Sequence, residues 1–403
     1  MSESHSNTAG MPPSTPESGP WFDFGPEQTK LRNDLRAFLR EALPRDWVGI
    51  WHGPDGSPKS AEVTEEMGRR GWLTYYWPKE YGGSGGNVWD QTVIQEELFA
   101  HHEPRGAQYM GVNWIGPALM RYGNDEQKKE YLPPIAAGRA FWAQLFSEPS
   151  AGSDLAGLRT RAVLDGDHFI VNGEKIWTSY ANLAKKGFLL CRTDPTRGKH
   201  RGLSALLIDM DAPGVEVRAI PSMVGWHRFH SVRFTDVRVP KERLLGPMNE
   251  GWSVAMAALP YERVGNARYA RTTRVLGWVE RQRADETQVT DQGELMDLLA
   301  LGRVAELLNY RAAHLKAKNN SLGWEASAAF AANALYEQQT AAFIEQKTGF
   351  DCFVASKDPH ALASGEVESF TVRQAPTVTI QAGTYQVQLS LVAQGGLGFP
   401  RSR

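Results

Sequence analysis

Apolar positions in the first third of the chain follow the spacing of helices. They recur at three- and four-residue intervals, which place them on one helix face, at Leu31, Leu35, Phe38 and Leu39. Asn124 occupies a typical N-cap position before a charged helix, which Pro133-Pro134 is expected to end. This region therefore predicts a helical domain.

The pattern changes to short β-rich runs after Phe141. These runs are His168–Val171, Gly187–Cys191, Leu203–Met210, Val215–Ile220 and Val232–Val239. Their short spacing predicts a small sheet sandwich or barrel, and Asn172-Gly173 predicts a hairpin turn. Helical spacing returns after Gly251, and a last helix is expected to begin near Thr384.

The order of helices, strands and helices predicts an α+β protein of several domains. The first residues are rich in Ser and Pro, so residues 1–22 are expected to form a disordered tail. We expect an N-terminal helical domain over 23–140, a middle β-domain over 141–248 and a C-terminal helical domain over 249–403.

Composition and charge narrow the class of protein. The 403 residues are 41% hydrophobic and 22% charged, which excludes a fibrous or wholly disordered chain. Lys and Arg number 44 against 46 Asp and Glu, so nothing supports nucleic-acid binding. Cys191 and Cys352 are too few for a disulfide framework, and no Cys/His set predicts a metal site. Without an apolar run of about 18 residues or an N-terminal signal peptide, we expect no membrane span and a cytoplasmic location.

Two segments carry residue types that suit a cofactor. Phe146–Asp154 reads FSEPSAGSD, whose small residues and hydroxyls suit the approach of a phosphate or a polar ring edge. Asn172–Tyr180 reads NGEKIWTSY, in which Trp177 can pack on a planar ring beside two hydroxyls. From the residues alone, an ordinary turn and a core tryptophan remain the alternatives.

The order of several motifs resembles that of the acyl-CoA dehydrogenase family. The motifs are PKEYGGSGG (Pro78–Gly86), YGNDEQKKEYLPP (Tyr122–Pro134), FSEPSAGSD, NGEKIWTS, FTDVRVP (Phe234–Pro240) and IQAGTYQVQ (Ile380–Gln388). Each is weak alone, and together they run in the family's order from about residue 24 to the end.

The resemblance implies a fold and an activity. The fold would be an N-terminal helical domain, a middle β-barrel or sandwich domain and a C-terminal four-helix bundle. The activity would be FAD-dependent α,β-dehydrogenation of an acyl-CoA thioester in β-oxidation or related lipid metabolism. Electrons would pass to an electron-transfer flavoprotein.

The resemblance also implies site residues, by motif position. Those expected to bind the cofactor are Gln144, Phe146, Ser147, Gly152, Ser153, Trp177, Thr178, Ser179, Thr384 and Gln386. Those expected near the substrate thioester and pantetheine are Ser153, Tyr261, Arg263 and Gly383. No metal is implied.

The family places its catalytic carboxylate at one of two positions. Here Ala382 stands at the position before the Gly-Thr of the C-terminal turn and cannot act as a base. Glu262, in LPYERVGN, stands at the other, as in the isovaleryl-CoA and long-chain branches. The resemblance therefore implies that Glu262 takes the α-proton while the flavin accepts the β-hydride. A surface glutamate paired with a helical cation is the alternative.

Two departures from the family pattern bear on assembly. The Arg, Phe-Gly and Pro pattern that contacts FAD across subunits is incomplete in Arg281–Leu295, and a Gln-x-x-Gly-Gly turn is missing from Glu345–Val354. Met223–Phe234 resembles the bacterial branch that acts on bulky or steroid-type acyl-CoAs, some of whose members are heteromers. A homo- or hetero-oligomer, dimer or tetramer, is expected. Alternatives are a subunit that completes a partner's flavin site and a same-fold flavin monooxygenase or oxidase.

Overall fold

The computed structural model describes residues 24–49, 56–223, 228–256, 267–283, 292–318, 322–355 and 358–400. Helices form both ends of this part of the chain, and strands form its middle, as predicted. The N-terminal helices are α1 (Pro26–Ala42), α2 (Gly56–Arg69), α3 (Val88–Ala100), α4 (Gln108–Met110), α5 (Gly116–Tyr122) and α6 (Asp125–Ala136). A π-helical turn, Gly111–Ile115, joins α4 to α5.

Local signals set the ends and the buried faces of these helices. The apolar face predicted for α1 is buried, at Leu31, Leu35, Phe38 and Leu39. Asn124 caps α6 as predicted, because its side chain accepts a hydrogen bond from the Gln127 amide, and the Gln127 side chain bonds back to it. The expected end at Pro133-Pro134 is wrong, since α6 continues to Ala136. Both prolines are exposed in the last turns, where water can satisfy the carbonyls that lose a partner.

Eight strands form the middle domain. They are β1 (Trp142–Leu145), β2 (Arg161–Asp165), β3 (His168–Ser179), β4 (Lys186–Arg192), β5 (Leu203–Asp209), β6 (Val215–Ile220), β7 (Phe229–Pro240) and β8 (Leu244–Leu245). The strand order is β6-β7-β3-β2-β4-β5-β8, with β1 parallel to β4. Within the described chain the outer strands β6 and β8 do not pair with each other, so the sheet is not closed and the barrel alternative is wrong. Buried residues of β1 to β5 and of β7 form one shared core, and Val215 and Val217 of β6 pack against it.

The hairpin predicted at Asn172-Gly173 is also wrong, since both residues lie inside β3. The pairing of β3 with β7 shifts register there, and the Asn172 side chain exchanges two hydrogen bonds with Asp236. A Cβ at Gly173 would lie 2.5 Å from Thr160 Oγ1. The glycine is therefore needed for close approach of a neighbouring segment, and cross-strand pairing overrides the local turn preference.

The C-terminal part contains α7 (Arg268–Arg283), α8 (Gln292–Ala317), α9 (Trp324–Thr348), α10 (Glu366–Glu368) and α11 (Tyr385–Gly396). The long helix α9 contacts α7, α8 and α11, which matches the expected helical bundle. Thr384 is the N-cap of α11, as predicted for the last helix. None of the helices in the described ranges has the length and apolar character that a membrane crossing requires.

Two adjacent buried histidines lie where the N-terminal helices meet the C-terminal part, and the second bonds across the junction. His101 Nδ1 lies 2.7 Å from the Glu97 carbonyl, and His102 Nε2 lies 2.7 Å from Glu366 Oε1. Burial and the nearby Arg274 lower the pKa of His101 to about 4. Burial opposes ionisation of Glu366, but Arg274 and His102 outweigh it and hold the pKa of Glu366 at about 2.

We expect this junction to make stability depend on pH. Between about pH 6.5 and pH 4, His101 binds a proton in the unfolded chain but not in the folded one, so the free energy of unfolding falls as pH falls. The full effect is roughly 3 kcal/mol. His101→Gln, whose amide can still donate to Glu97, should flatten this slope in urea unfolding series. His314→Gln, at an exposed position of α8, should not. Equal slopes in His101→Gln and the parent would contradict this account.

Candidate active site

The two cofactor-type segments meet through a buried lysine. The Ile176 amide donates to the Ser147 carbonyl at 2.9 Å, which places β3 beside FSEPSAGSD. Lys175 is fully buried, and its Nζ donates to the Phe146 carbonyl at 2.9 Å and to Glu148 Oε1 at 2.8 Å. The Lys175 side chain therefore fixes the position of β3 against the FSEPSAGSD loop.

Glu148 completes this contact from the loop. Its carboxylate also accepts hydrogen bonds from the Arg159 amide at 2.6 Å and the Thr160 amide at 2.8 Å. Burial opposes the charge, but Lys175 and these donors outweigh it and hold the pKa of Glu148 below its usual value. Sequence reasoning missed this pair. The available signal was strand alternation, which puts Lys175 on the same face as the buried Phe169 and Val171.

Trp177 stands on a strained bulge directly after this anchor. The register of β3 against β7 shifts between Lys175 and Thr178, and Trp177 has φ +59°. Its indole is 55% exposed and meets Phe229 edge-on at 6.0 Å. Backbone strain of this kind is typical of ligand-contacting residues and costs about 1–3 kcal/mol. The bulge therefore presents a large planar apolar surface that the described part of the chain does not cover.

The residues after Trp177 contribute hydroxyl groups. Thr178 is buried, and its Oγ1 has no hydrogen-bond partner among the described residues. Ser179 is half-buried and pairs with Phe229. A polar atom at the edge of a bound ring would satisfy the threonine hydroxyl, whose burial without a partner is otherwise unfavourable.

The loop after β1 is open at its tip. Glu148 and Ala151 exchange two backbone hydrogen bonds, while Gly152 and Ser153 are exposed. A Cβ at Gly152 would meet nothing within 4 Å, so packing within the described chain does not explain this glycine. The space beside it would admit a ligand close to the backbone.

Gln144 and Phe146, two other residues predicted to bind the cofactor, differ in burial. Gln144 is half-buried on β1. Phe146 is 6% exposed, and its ring packs edge-on against Phe188 at 5.2 Å. The Phe146 side chain therefore belongs to the core, which leaves only its main chain to face a ligand.

The C-terminal turn has its own strained backbone. Ala382 has φ +57° and Gly383 has φ +90°, and Gln388 Nε2 donates to both carbonyls, at 3.1 and 3.4 Å. The Thr384 hydroxyl accepts from the Val387 amide at 3.3 Å and caps α11, while Gln386 is exposed. Local hydrogen bonds thus hold the turn that the motif comparison assigned to the cofactor.

Arg228 connects this turn to the end of β3. Its Nη2 donates to Gln381 Oε1 at 3.3 Å, and its carbonyl accepts from the Tyr180 amide at 2.8 Å. The structure therefore brings the three motif segments to one region. Three predicted residues, Tyr261, Glu262 and Arg263, lie outside the described residues.

These features fit the flavin that the motifs implied. Within the part of the chain that the structure describes, an exposed indole can cover a ring, a buried hydroxyl lacks a partner at the same bulge, and the loop beside Gly152 leaves room for a ligand. The described residues that would hold FAD are Gln144, Ser147, Gly152, Ser153, Trp177, Thr178, Ser179, Thr384 and Gln386, with the main chain of Phe146.

Replacing Lys175 should lower the stability of the protein and weaken its retention of flavin. Lys175→Met leaves the Glu148 carboxylate buried without its cation, so we expect the free energy of unfolding to fall by about 3–5 kcal/mol and purified protein to retain less flavin. Lys175→Met with Glu148→Gln leaves no charge and should recover part of both losses. Lys30→Met, in an exposed pair with Asp34, should change stability by less than about 1 kcal/mol. Urea unfolding and flavin absorbance measure the two effects, and a double variant no better than the single one would refute the pairing.

Comparison with known proteins shows the family to which the chain is related. The chain matches the family descriptions "Acyl-CoA dehydrogenase, N-terminal domain" over residues 25–139, "middle domain" over 143–237 and "C-terminal domain" over 249–397. Acyl-CoA dehydrogenase FadE26 of Mycobacterium tuberculosis is 33% identical across 94% of this chain and 99% of its own length.

Two solved structures have the same fold along nearly the whole chain. One, described as the Tcur3481-Tcur3483 steroid ACAD, has a TM-score of 0.88 and 34% identity, covering 94% of this chain and 99% of that one. The other, the ChsE4-ChsE5 complex of Mycobacterium tuberculosis, has a TM-score of 0.84 and 31% identity, covering 94% and 100%. This chain therefore belongs to the acyl-CoA dehydrogenase family, oxidoreductases that act on acyl-CoA and use FAD as cofactor.

Proposed function

We propose that this protein catalyses α,β-dehydrogenation of an acyl-CoA thioester to the 2-enoyl-CoA, with Glu262 as the base that abstracts the α-proton. The observation that carries the proposal is the bulge at Trp177. It places an exposed indole, and a buried hydroxyl that has no partner among the described residues, beside the FSEPSAGSD loop in a chain of this family.

Each part of the chain has a distinct task in this reaction. Bound FAD supplies the acceptor for the β-hydride. Trp177 and Thr178 hold and orient the ring, and the loop from Ser147 to Ser153 offers it hydroxyl and amide groups. Tyr261, Arg263 and Gly383, together with Ser153, bind the thioester and pantetheine. A backbone donor at the thioester oxygen would stabilise the enolate charge that develops as the α-proton leaves.

Glu262 is the better of the two possible base positions. The methyl group of Ala382 cannot accept a proton, although its turn lies in the candidate site. A carboxylate shielded from water beside a flavin has a raised pKa, which suits proton abstraction near neutral pH. The assignment rests on the position of Glu262 before Arg263 in the family pattern.

Glu262→Gln should keep the yellow flavin but abolish its bleaching by substrate. Loss of a positioned base lowers the rate by about 10²–10⁴-fold, which anaerobic stopped-flow absorbance measures directly. Glu130→Gln, at an exposed pair with Arg243, serves as the control and should bleach normally. Normal bleaching in Glu262→Gln would exclude it as the base. Oxygen consumption during turnover without another acceptor would indicate an oxidase or monooxygenase instead.

We further propose that the active form is a heteromer with a related subunit. The motifs for FAD contacts across subunits are incomplete at Arg281–Leu295 and missing at Glu345–Val354. The relative in the ChsE4-ChsE5 structure is a complex of two differently named chains, and the Tcur3481-Tcur3483 protein is described as a steroid ACAD. A bulky or steroid-type acyl group is therefore the favoured substrate, and an electron-transfer flavoprotein the favoured acceptor. We place the protein in the cytoplasm, where its buried free thiols, Cys191 and Cys352, would stay reduced.

Expression of this chain alone should yield protein with less than one flavin per chain. Co-expression with a second, related acyl-CoA dehydrogenase subunit should restore flavin content and give a mixed oligomer, because the second subunit would supply the missing contacts to the adenosine diphosphate half of FAD. Light scattering and absorbance at the flavin band measure both quantities. A fully flavinated and active homo-oligomer from the single gene would refute the heteromer.

A further inference from the structure

Gln388 bonds to three consecutive carbonyl groups of the C-terminal turn. It lies on α11 and is fully buried. Its Nε2 donates to the carbonyls of Ala382 and Gly383, and its main-chain amide donates to the Thr384 carbonyl at 3.0 Å. A Cβ at Gly383 would lie 2.7 Å from Gln388 Nε2, so the glycine is what allows the side-chain amide to come this close.

These contacts also decide where the main-chain N–H groups of the turn point. In a trans peptide unit the N–H lies opposite the carbonyl of the preceding residue. Because the Ala382 and Gly383 carbonyls face Gln388, the amides of Gly383 and Thr384 point to the other side of the turn. Within the part of the chain that the structure describes, neither amide has an acceptor. The turn therefore offers two adjacent donors on the side away from Gln388.

This arrangement lowers stability in two ways. Oε1 of Gln388 is buried and has no hydrogen-bond partner among the described residues. Ala382 has φ +57°, a conformation that is unfavourable for a residue with a Cβ. A buried acceptor without a donor and a strained backbone are both destabilising, and such features concentrate at functional sites, where a fixed backbone position is needed. We therefore looked for a function of the contact between Gln388 and the turn.

The turn borders the segment that carries Trp177. Gln381, which directly precedes Ala382, accepts a hydrogen bond from Arg228 Nη2 at 3.3 Å. The Arg228 carbonyl accepts from the amide of Tyr180, the residue after the Trp177–Ser179 segment. These bonds, between described residues alone, connect the turn to the candidate active site.

We propose that Gln388 is a positioning residue, which holds the C-terminal turn so that the amides of Gly383 and Thr384 donate to an oxygen atom of the bound flavin or of the acyl thioester. The inference rests on the proposed function and deepens it. Donors that are fixed in advance stabilise an oxygen atom on which negative charge grows during the reaction. Gln388 acts through the turn, since its own donors are used on the turn carbonyls.

The test compares Gln388→Met with the parent protein, with the partner subunit present if it is required. Methionine has nearly the same length as glutamine but cannot donate to the turn. At saturating acyl-CoA we expect the rate constant of flavin bleaching to fall about 10–100-fold, while the half-saturating acyl-CoA concentration changes by less than about threefold. Gln394→Met, at a half-buried position of the same helix, is the matched control and should bleach at the parent rate.

A second measurement distinguishes the two acceptors. The fluorescence of flavin released on dilution of the holoenzyme gives the Kd of FAD without any turnover. A Kd that is about three- to tenfold higher in Gln388→Met, the effect of one lost hydrogen bond, would identify a flavin oxygen as the acceptor. Slower bleaching with an unchanged Kd of FAD would identify the thioester oxygen.

The outcomes separate this inference from the proposed function. Bleaching at the parent rate with an unchanged Kd of FAD overturns the inference and leaves the dehydrogenase reaction standing. A higher half-saturating concentration without slower bleaching would assign Gln388 to substrate binding and also overturn it, as would a loss of rate that only follows the unfolded fraction in circular dichroism. If Gln388→Met does not fold, Gln388→Asn replaces it, because its shorter amide cannot reach both carbonyls. If no acyl-CoA bleaches the parent protein, both the inference and the proposed function fail.

Discussion

The buried ion pair between Lys175 and Glu148 is the contact on which the site depends. Taking both charges out of water costs several kcal/mol per ion, which is recovered only when each finds good partners. Glu148 has three donors and Lys175 has two acceptors, which tie β3 to the FSEPSAGSD loop and that loop to the backbone of Arg159 and Thr160. The pair therefore fixes the relative position of β3 and the FSEPSAGSD loop, because both buried charges have their hydrogen-bond partners only in that arrangement.

Strained backbone occurs at two positions that hydrogen-bonded neighbours hold in place. Trp177 and Ala382 both have positive φ, and each is held by neighbours that are themselves hydrogen-bonded, through the Lys175 contacts in one case and Gln388 in the other. A strained residue keeps its conformation only where the surrounding structure outweighs the strain. The two strained positions are linked through Arg228, which touches both the end of β3 and the C-terminal turn.

Sequence patterns predicted what depends on near neighbours and failed where distant segments decide. The face of α1 and the cap at Asn124 depend on residues a few positions away, and both are confirmed. Asn172-Gly173 failed because Thr160 and Asp236 approach it from other parts of the chain. The contact of His102 with Glu366 spans 264 positions and leaves no local signal. For Glu262, outside the described residues, the family pattern remains the only support.

The segment from 362 to 384 makes hydrogen bonds to all three domains. It reaches the N-terminal helices through Glu366 and His102, the middle domain through Gln381 and Arg228, and the bundle through the Ala375 carbonyl and Gln338. Each of these contacts is polar and directional, so a shift of one domain breaks a bond to this segment and not merely an apolar contact. Because the C-terminal turn ends this segment, the geometry around the flavin is coupled to the packing of the whole chain. This coupling explains how a site whose residues come from the middle and C-terminal domains can be held accurately enough for the proposed proton abstraction and hydride transfer at adjacent carbons.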